Sequence, residues 1–477
     1  MVTIRNIPTE LLTHSFSFLS FWELLVAARV CQYWRDLGID HPTFWKYIKI
    51  SRATSGSIAC LTARLGQSGG RPFVLDVEIE GMHPLIPAKL IPLICCMMDC
   101  VQKLSIRLES WYLTELWRVL NNAAPLLEVL HLQLYSPDRI LPRIPLNAWI
   151  FKNMPGRLRY VSICDVMFPS NSAIPAFASA RYLTFEQPKN STQRFPTYLF
   201  EYFPSMVGLW LDGGVMTFNQ PLGEVDLAGL AKLIVLDINL HRDSTAEFIR
   251  RVPLSGIPYV LVGATTGLDF DATYDVLEPL RSPFNMSLIT INPSSEFWLV
   301  IEDPRSGYRR IFAEYLGNYP DPKSQAEDSV ANALFDNEDF SDQLASLGIS
   351  VTNWDQLVPY LGYFTTIKEL IVEFDQRGDP AGDVLPGTAA RLFTCTSVSK
   401  LVLDARYHIV WLSEDDVVDF ADRVAPMCSE LELRRVMVDG RQRLNRRFSK
   451  ISQSDERLAP SAEDIIRRFE KKSPRIT

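Results

Sequence analysis

The sequence has no regular cysteine framework, no metal-ligand spacing and no nucleotide-binding glycine pattern, and each absence removes a class of function. Its eight cysteines (31, 60, 95, 96, 100, 164, 395 and 428) follow no repeat, so a reducing compartment, cytosol or nucleus, is expected. The six histidines (14, 41, 83, 131, 241 and 408) are scattered, none with a Cys or His partner at ligand spacing. Cys95, Cys96 and Cys100 form the one thiol cluster, but Met97 and Met98 between them point to apolar packing and not to metal. There is no P-loop and no dinucleotide-binding glycine motif. Gly66-Gln67-Ser68-Gly69-Gly70 satisfies G-x-S-x-G, yet a nucleophile elbow needs a strand before its serine and a helix after it. Here the helical spacing Ile58, Leu61, Leu65 comes first and the strand-like Phe73–Ile79 second. The chain is expected not to be an enzyme and to carry no cofactor and no metal.

Long apolar runs are missing as well. The longest, Leu85–Met98, is broken by Pro87, Lys89 and Pro92 and is too short for a bilayer. No charged n-region leads into an apolar core and a small-residue cleavage site. Neither a membrane span nor secretion is expected, and the sequons at Asn190 and Asn285 read as chance. Excess positive charge is also lacking: the net charge of −8 argues against nucleic acid as the main partner. What is present, 47% hydrophobic and 22% charged residues over 477 positions, suffices for two to four domains, or for one small module and a long repeat array.

Ile7 to Trp45 carries more apolar surface than short helices could bury. Pro8 suits a helix start, and Leu11, Leu12, Phe16 and Leu19 follow at helical spacing, interrupted by Ser15. The next helix is predicted over roughly Trp22 to Tyr33. It places Leu24, Leu25, Ala28 and Cys31 on one side and Trp22, Val26, Val30 and Tyr33 on the other. A helix apolar nearly all round needs cover on both sides. A unit of about forty residues is near the lower limit for folding alone, so a partner or a neighbouring domain must supply that cover.

Ile7-Pro8-Thr9-Glu10-Leu11-Leu12, Phe16, Leu19, Leu24-Leu25, Val30-Cys31-Gln32-Tyr33-Trp34-Arg35 and Phe44-Trp45 resemble the F-box without a gap, departing from its pattern at Ser15 and Arg29. The resemblance implies that Ile7, Pro8, Glu10, Leu11, Leu12, Phe16, Leu19, Leu24, Leu25, Val30, Cys31, Trp34 and Trp45 form the core of the module or its surface for a Skp-type adaptor. Through that adaptor the chain would reach a cullin. The plain alternative is a helical hairpin that packs on the rest of the chain.

From residue 72 a second pattern recurs: an apolar residue, two others, then apolar-x-apolar. It starts at Pro72, Val101, Leu127, Leu158, Ala180, Met206, Leu233, Ile257 and Met286, and returns at Ile367, Val398 and Cys428. Steps run from 22 to 31 residues, and the one gap, of 81, equals three steps of 27. This period is close to that of leucine-rich repeats, whose strand core is L-x-x-L-x-L, although the usual Asn or Cys ladder position is absent. Helical stretches such as Leu113–Leu120 lie between the strands. The expected fold class is α/β: a small all-α module, then a curved solenoid with parallel strands inside and helices outside. A wound parallel α/β sheet is the alternative.

The expected boundaries are 1–50 for the module, 51–71 for a connector, 72–438 for the array and 439–477 for a polar tail with a short helix after Ser461. At about 292–366 the array is interrupted. Phe297–Ile301 and Tyr308–Phe312, flanking Asp303-Pro304-Arg305-Ser306-Gly307, predict a β-hairpin there. The acidic stretch 321–343 reads as a solvated loop or as an acidic docking site.

Positions beside the inward leucines point outward on such a sheet. They include Asp76, Glu78, Glu186, Asp212, Asp237, Glu373, Asp404 and Glu432, against Arg107 and Arg434. An acidic recognition face is expected, with Asp212, Asp237, Glu373 and Asp404 contacting a protein target that offers a basic surface; ordinary solvation would leave the same pattern. The F-box resemblance thus implies a non-catalytic substrate-recognition subunit of an SCF-type ubiquitin ligase, the alternative being a repeat scaffold with no ligase role.

Overall fold

The computed structural model describes residues 7–135, most of 145–315, most of 340–351, 354, 366–374, 385–386 and most of 395–454. Nearly all of the acidic stretch and the helix expected after Ser461 lie outside the described residues. The chain is mixed α/β and divides into two compact units, one ending its main run at Ser191 and the other running from Leu230 onward.

The first unit opens with α1 (Thr9–Phe16), α2 (Phe21–Ala27), α3 (Gln32–Asp40) and α4 (Pro42–Trp45). Ser20 and Glu23 form a reciprocal capping box that starts α2. The single helix expected over Trp22–Tyr33 is in fact two. After Ala27 the amides of Arg29 and Val30 bond back three residues, Cys31 is extended, and α3 begins. A straight helix would hold Leu24 and Gly38 about 21 Å apart. Instead α3 folds back so closely that a Cβ on Gly38 would lie 3.4 Å from Leu24 and 3.8 Å from Ala28. Because both faces of the segment are apolar, its periodicity could not mark this break.

Seven strands follow: β1 (Tyr47–Ile50), β2 (Phe73–Glu78), β3 (Val101–Glu109), β4 (Val129–Tyr135), β5 (Tyr160–Cys164), β6 (Tyr182–Glu186) and β7 (Gly208–Asp212). Each pairs in parallel with the next in chain order. The apolar-x-apolar pairs, such as Leu104 and Ile106, are buried, while the residues between them face the other way. The series starts one strand earlier than Pro72, because Trp45-x-x-Ile48-x-Ile50 carries the same signature. Residues 51–71 are therefore no connector: α5 (Ser55–Ser68) is the crossover between two paired strands. Gly69 ends it at φ 57°, a conformation glycine adopts without strain.

The second unit contributes β8 (Val235–Asn239), β9 (Tyr259–Val262), β10 (Phe284–Asn292), β11 (Glu296–Glu302), β12 (Arg309–Tyr315), β13 (Leu344–Ser350), β14 (Glu369–Phe374), β15 (Lys400–Ala405), β16 (Glu430–Arg434) and β17 (Lys450–Ser454). β8 and β9 pair in parallel, as do β10 with β13 and then β13 through β17 in chain order. β11 and β12 form an antiparallel hairpin whose turn is held by Asp303, which accepts from the Arg305 amide at 2.8 Å. This hairpin does not interrupt the sheet but enters it: β12 pairs with β9, and β11 with β10. Arg310 pins it there, fully buried, donating to the carbonyls of Val276, Ile257 and Leu254 at 2.8, 3.0 and 3.2 Å. Burial pulls its pKa down to about 10.

Three further expectations change. The 81-residue gap hides one more copy of the signature, Leu344-x-x-Leu347-x-Ile349, which is β13. On β10 the described burial alternates at Phe284, Met286 and Leu288, so the strand begins before the signature that starts at Met286. Residues 440–454 are not a polar tail: a helix at Gln442–Arg447 buries Leu444, and β17 joins the sheet beside β16.

Candidate docking surface

In the helical module, Leu12, Phe16, Leu24, Phe44 and Trp45 form a filled core, with Ile7, Leu19, Leu25 and Trp34 packed partly buried around it. Phe16 meets Trp34 edge-on at 5.7 Å and His41 at 6.0 Å. Trp45 donates its indole N–H to the Asp40 carbonyl at 3.1 Å, and Arg71 lies 4.1 Å over the Trp45 ring. The motif residues thus divide. Leu12, Phe16, Leu24 and Trp45 build the interior, Cys31 is half-buried, and Pro8, Glu10, Leu11 and Val30 are exposed.

The surface of the module is unusually apolar. Leu11, Phe18, Trp22, Val26 and Val30 are between 51% and 76% exposed. Trp22 and Val26, at i and i+4 on α2, share a face, opposite Leu24. Phe18, Trp22 and Val26 are not fixed positions of the sequence pattern, so a motif reading alone passes over them; helical spacing finds Trp22 and Val26 on α2, whereas Phe18 lies in the turn before it.

Arg64 of α5 fastens the module to the strand that follows. It is buried, its guanidinium donates to the carbonyls of Phe44 and Tyr47, and it lies 3.9 Å over the Phe21 ring. Burial pulls its pKa down to about 10. A cavity of about 1120 Å³ opens where α2, α4, β1 and α5 meet.

On the outer face of the first unit's sheet the charges are sorted, not uniformly acidic. Lys49 pairs with Glu78 at 2.9 Å and approaches Asp76 at 3.8 Å, and Arg107 pairs with Glu78 as well. Burial, with Arg107 and Lys103 nearby, pulls His131 down to about 4. Toward β5–β7 the field reverses: burial, then the carboxylates of Glu186, Asp165 and Asp212, push the Cys164 thiol well above its ordinary range. Aromatics flank this acidic end. Tyr182 and Trp210 crowd the space over Gly208 so tightly that a Cβ there would meet them at 2.8 and 2.9 Å.

In the second unit the expected acidic face is largely neutralised by ion pairs across strands and, for Arg434 with Glu432, along one strand. Lys400 bridges Glu369 at 2.7 Å and Glu432 at 2.8 Å, Lys450 meets Glu430 at 3.1 Å, and Arg434 meets Glu432 at 2.6 Å and Asp404 at 3.6 Å. Glu373 and Asp404 are only 1% and 6% exposed, so neither is presented to a target as the sequence pattern suggested. Burying a carboxylate is costly unless it is paired, and the Arg434 contact serves Asp404 in that way. Asp212 and Asp237 are half-buried and remain at the surface.

Among the described residues no group of three or more His, Cys, Asp or Glu could hold a metal ion, and no helix there is long and apolar enough to cross a membrane. No curated protein matches the chain. The family model described as F-box-like matches residues 4–51, the stretch that contains α1–α4. The chain therefore carries an F-box-like domain, with a filled core and an exposed apolar stripe, ahead of its parallel strands.

Proposed function

We propose that the chain is the substrate-recognition subunit of an SCF-type ubiquitin ligase. The F-box-like domain docks on a Skp-type adaptor, and through it on a cullin. One observation carries this reading: the core of the domain is complete, yet Leu11, Phe18, Trp22, Val26 and Val30 stay exposed. Trp22 and Val26 share one face of α2, and large apolar side chains exposed together on a folded domain mark an interaction site. Pro8 and Glu10, exposed beside Leu11, complete the surface.

The recurring strand signature, its period and the parallel pairing in chain order support a leucine-rich-repeat-like solenoid beyond the domain, with the two-strand hairpin built into its sheet. Such an array would hold a protein target. The acidic, aromatic-flanked face at β5–β7, including Asp212, and Asp237 on β8 suit a target with a basic surface. No chemistry is required of the chain itself, since holding the target near the conjugating enzyme raises its effective concentration.

The second reading, a repeat scaffold with no ligase role, draws on Arg64, which ties the domain to its own chain. Purified Skp-type adaptor separates the two. A receptor captures it, and replacing Leu11 and Trp22 by aspartate abolishes capture while the protein stays folded. Leu12 is unsuitable for this test because it lies in the core. Deletion tests must stop short of Tyr47, where the first sheet strand begins. If the intact chain captures no adaptor, the receptor reading is wrong.

A further inference from the structure

We infer that the cavity between the helical module and the first strand of the sheet binds an amphipathic anion, an aromatic body carrying a sulfonate, phosphate or carboxylate group. At about 1120 Å³ the cavity is slightly above the usual volume of a small-molecule site. Its lining includes four cationic side chains, Lys46, Lys49, Arg52 and Arg64, and no carboxylate. The charges of Lys49 and Arg64 are answered locally. Lys49 pairs with Glu78 on β2, and Arg64 is held by two carbonyls and the Phe21 ring. Lys46 and Arg52 have no carboxylate within ion-pair distance among the described residues, so the cavity keeps two cations for a ligand to meet.

The remainder of the wall explains why a bare inorganic anion is not the best fit. Phe21 and Trp22 line the same cavity and make part of its wall aromatic. An anionic head at Lys46 and Arg52 would leave its body against these rings, where apolar burial adds to the charge interaction. The N-terminus of α5, a 14-residue helix capped by Thr54, opens on the cavity at Gly56 and Ser57 and adds a favourable dipole for the head group. Cys60 also lines the cavity and supplies a reporter within it.

The site shares Trp22 with the proposed adaptor surface but does not rest on the ligase reading, and its test uses the protein without adaptor. Full-length protein is titrated with naphthalene-1-sulfonate, and with naphthalene-1-methanol as its uncharged counterpart. Binding is followed by calorimetry and by protection of Cys60 from iodoacetamide, read on its peptide by mass spectrometry. The sulfonate should bind and protect Cys60, and the alcohol should bind about tenfold more weakly or worse. The double variant Lys46→Gln, Arg52→Gln, both exposed positions, should weaken the sulfonate about tenfold while leaving the melting temperature unchanged. Equal binding of sulfonate and alcohol, equal binding by the double variant, or no protection of Cys60 would each overturn the assignment.

Discussion

Leu24 and Trp22 are two residues apart on α2 and should fail in opposite ways when truncated. Leu24 is 1% exposed and Trp22 is 72% exposed. Leu24→Ala opens a cavity in the core of the module and should cost about 3–5 kcal/mol of stability. Trp22→Ala removes a side chain that touches mostly solvent, so its stability effect should stay within about 0.5 kcal/mol. Its effect on adaptor binding should be large. A tryptophan buries up to about 200 Å²; with 72% exposed in the free protein, roughly 150 Å² is left for a partner to cover. At about 25 cal/mol per Å² that is about 4 kcal/mol gross, of which ordering costs leave about 2–3 kcal/mol, or roughly 30- to 150-fold in Kd. Urea unfolding and calorimetric titration with a Skp-type adaptor read the two effects separately. If Trp22→Ala destabilised the protein by about 2 kcal/mol and left adaptor affinity unchanged, the exposed stripe would be internal packing and the reasoning would fail.

Two further outcomes follow from the sheets. His131 has its folded pKa lowered to about 4, so acid protonates the unfolded chain first. The stability it supports is full above its ordinary value near 6.5 and is lost as pH falls through the window toward 4. Between pH 8 and pH 5.5 the wild type should lose about 1 kcal/mol more than His131→Gln in urea unfolding; identical pH profiles would contradict this. At the other end of the chain, truncation after Asp439 removes buried Leu444 and Phe448 together with β17. It should cost about 3–6 kcal/mol more than truncation after Ser454, seen as a lower melting temperature. Equal melting temperatures would mean that residues 440–454 do not hold the sheet.

The sequence made local features readable and hid those that depend on distant partners. Apolar-x-apolar signatures marked the strands because each strand buries one face against its own crossover, whatever lies beyond. The same signature is present in two strands outside the expected series, where Ile48 and Ile50 sit at the edge of the F-box pattern and Leu347 and Ile349 follow a long acidic stretch, whereas the polar β17 lacks it. Turn chemistry at Asp303 to Gly307 gave the hairpin, but its place between β9 and β10 is set by pairing with residues about 10 to 50 positions away and cannot be read locally. The F-box pattern named the module without saying which of its residues face out, since Leu11 and Leu12 are equivalent as letters and opposite in burial. The acidic positions were legible as well. Their neutralisation by Lys49, Lys400 and Arg434 depends on cross-strand neighbours that only the structure supplies.

The most direct measurement is a calorimetric titration of the intact chain with a purified Skp-type adaptor at several temperatures. The exposed stripe predicts a one-to-one complex with a negative heat-capacity change, the mark of apolar surface leaving water, and its loss in the variant carrying Leu11→Asp and Trp22→Asp. No binding by the intact chain, or binding that the double variant retains in full, would contradict a docking role for the F-box-like domain.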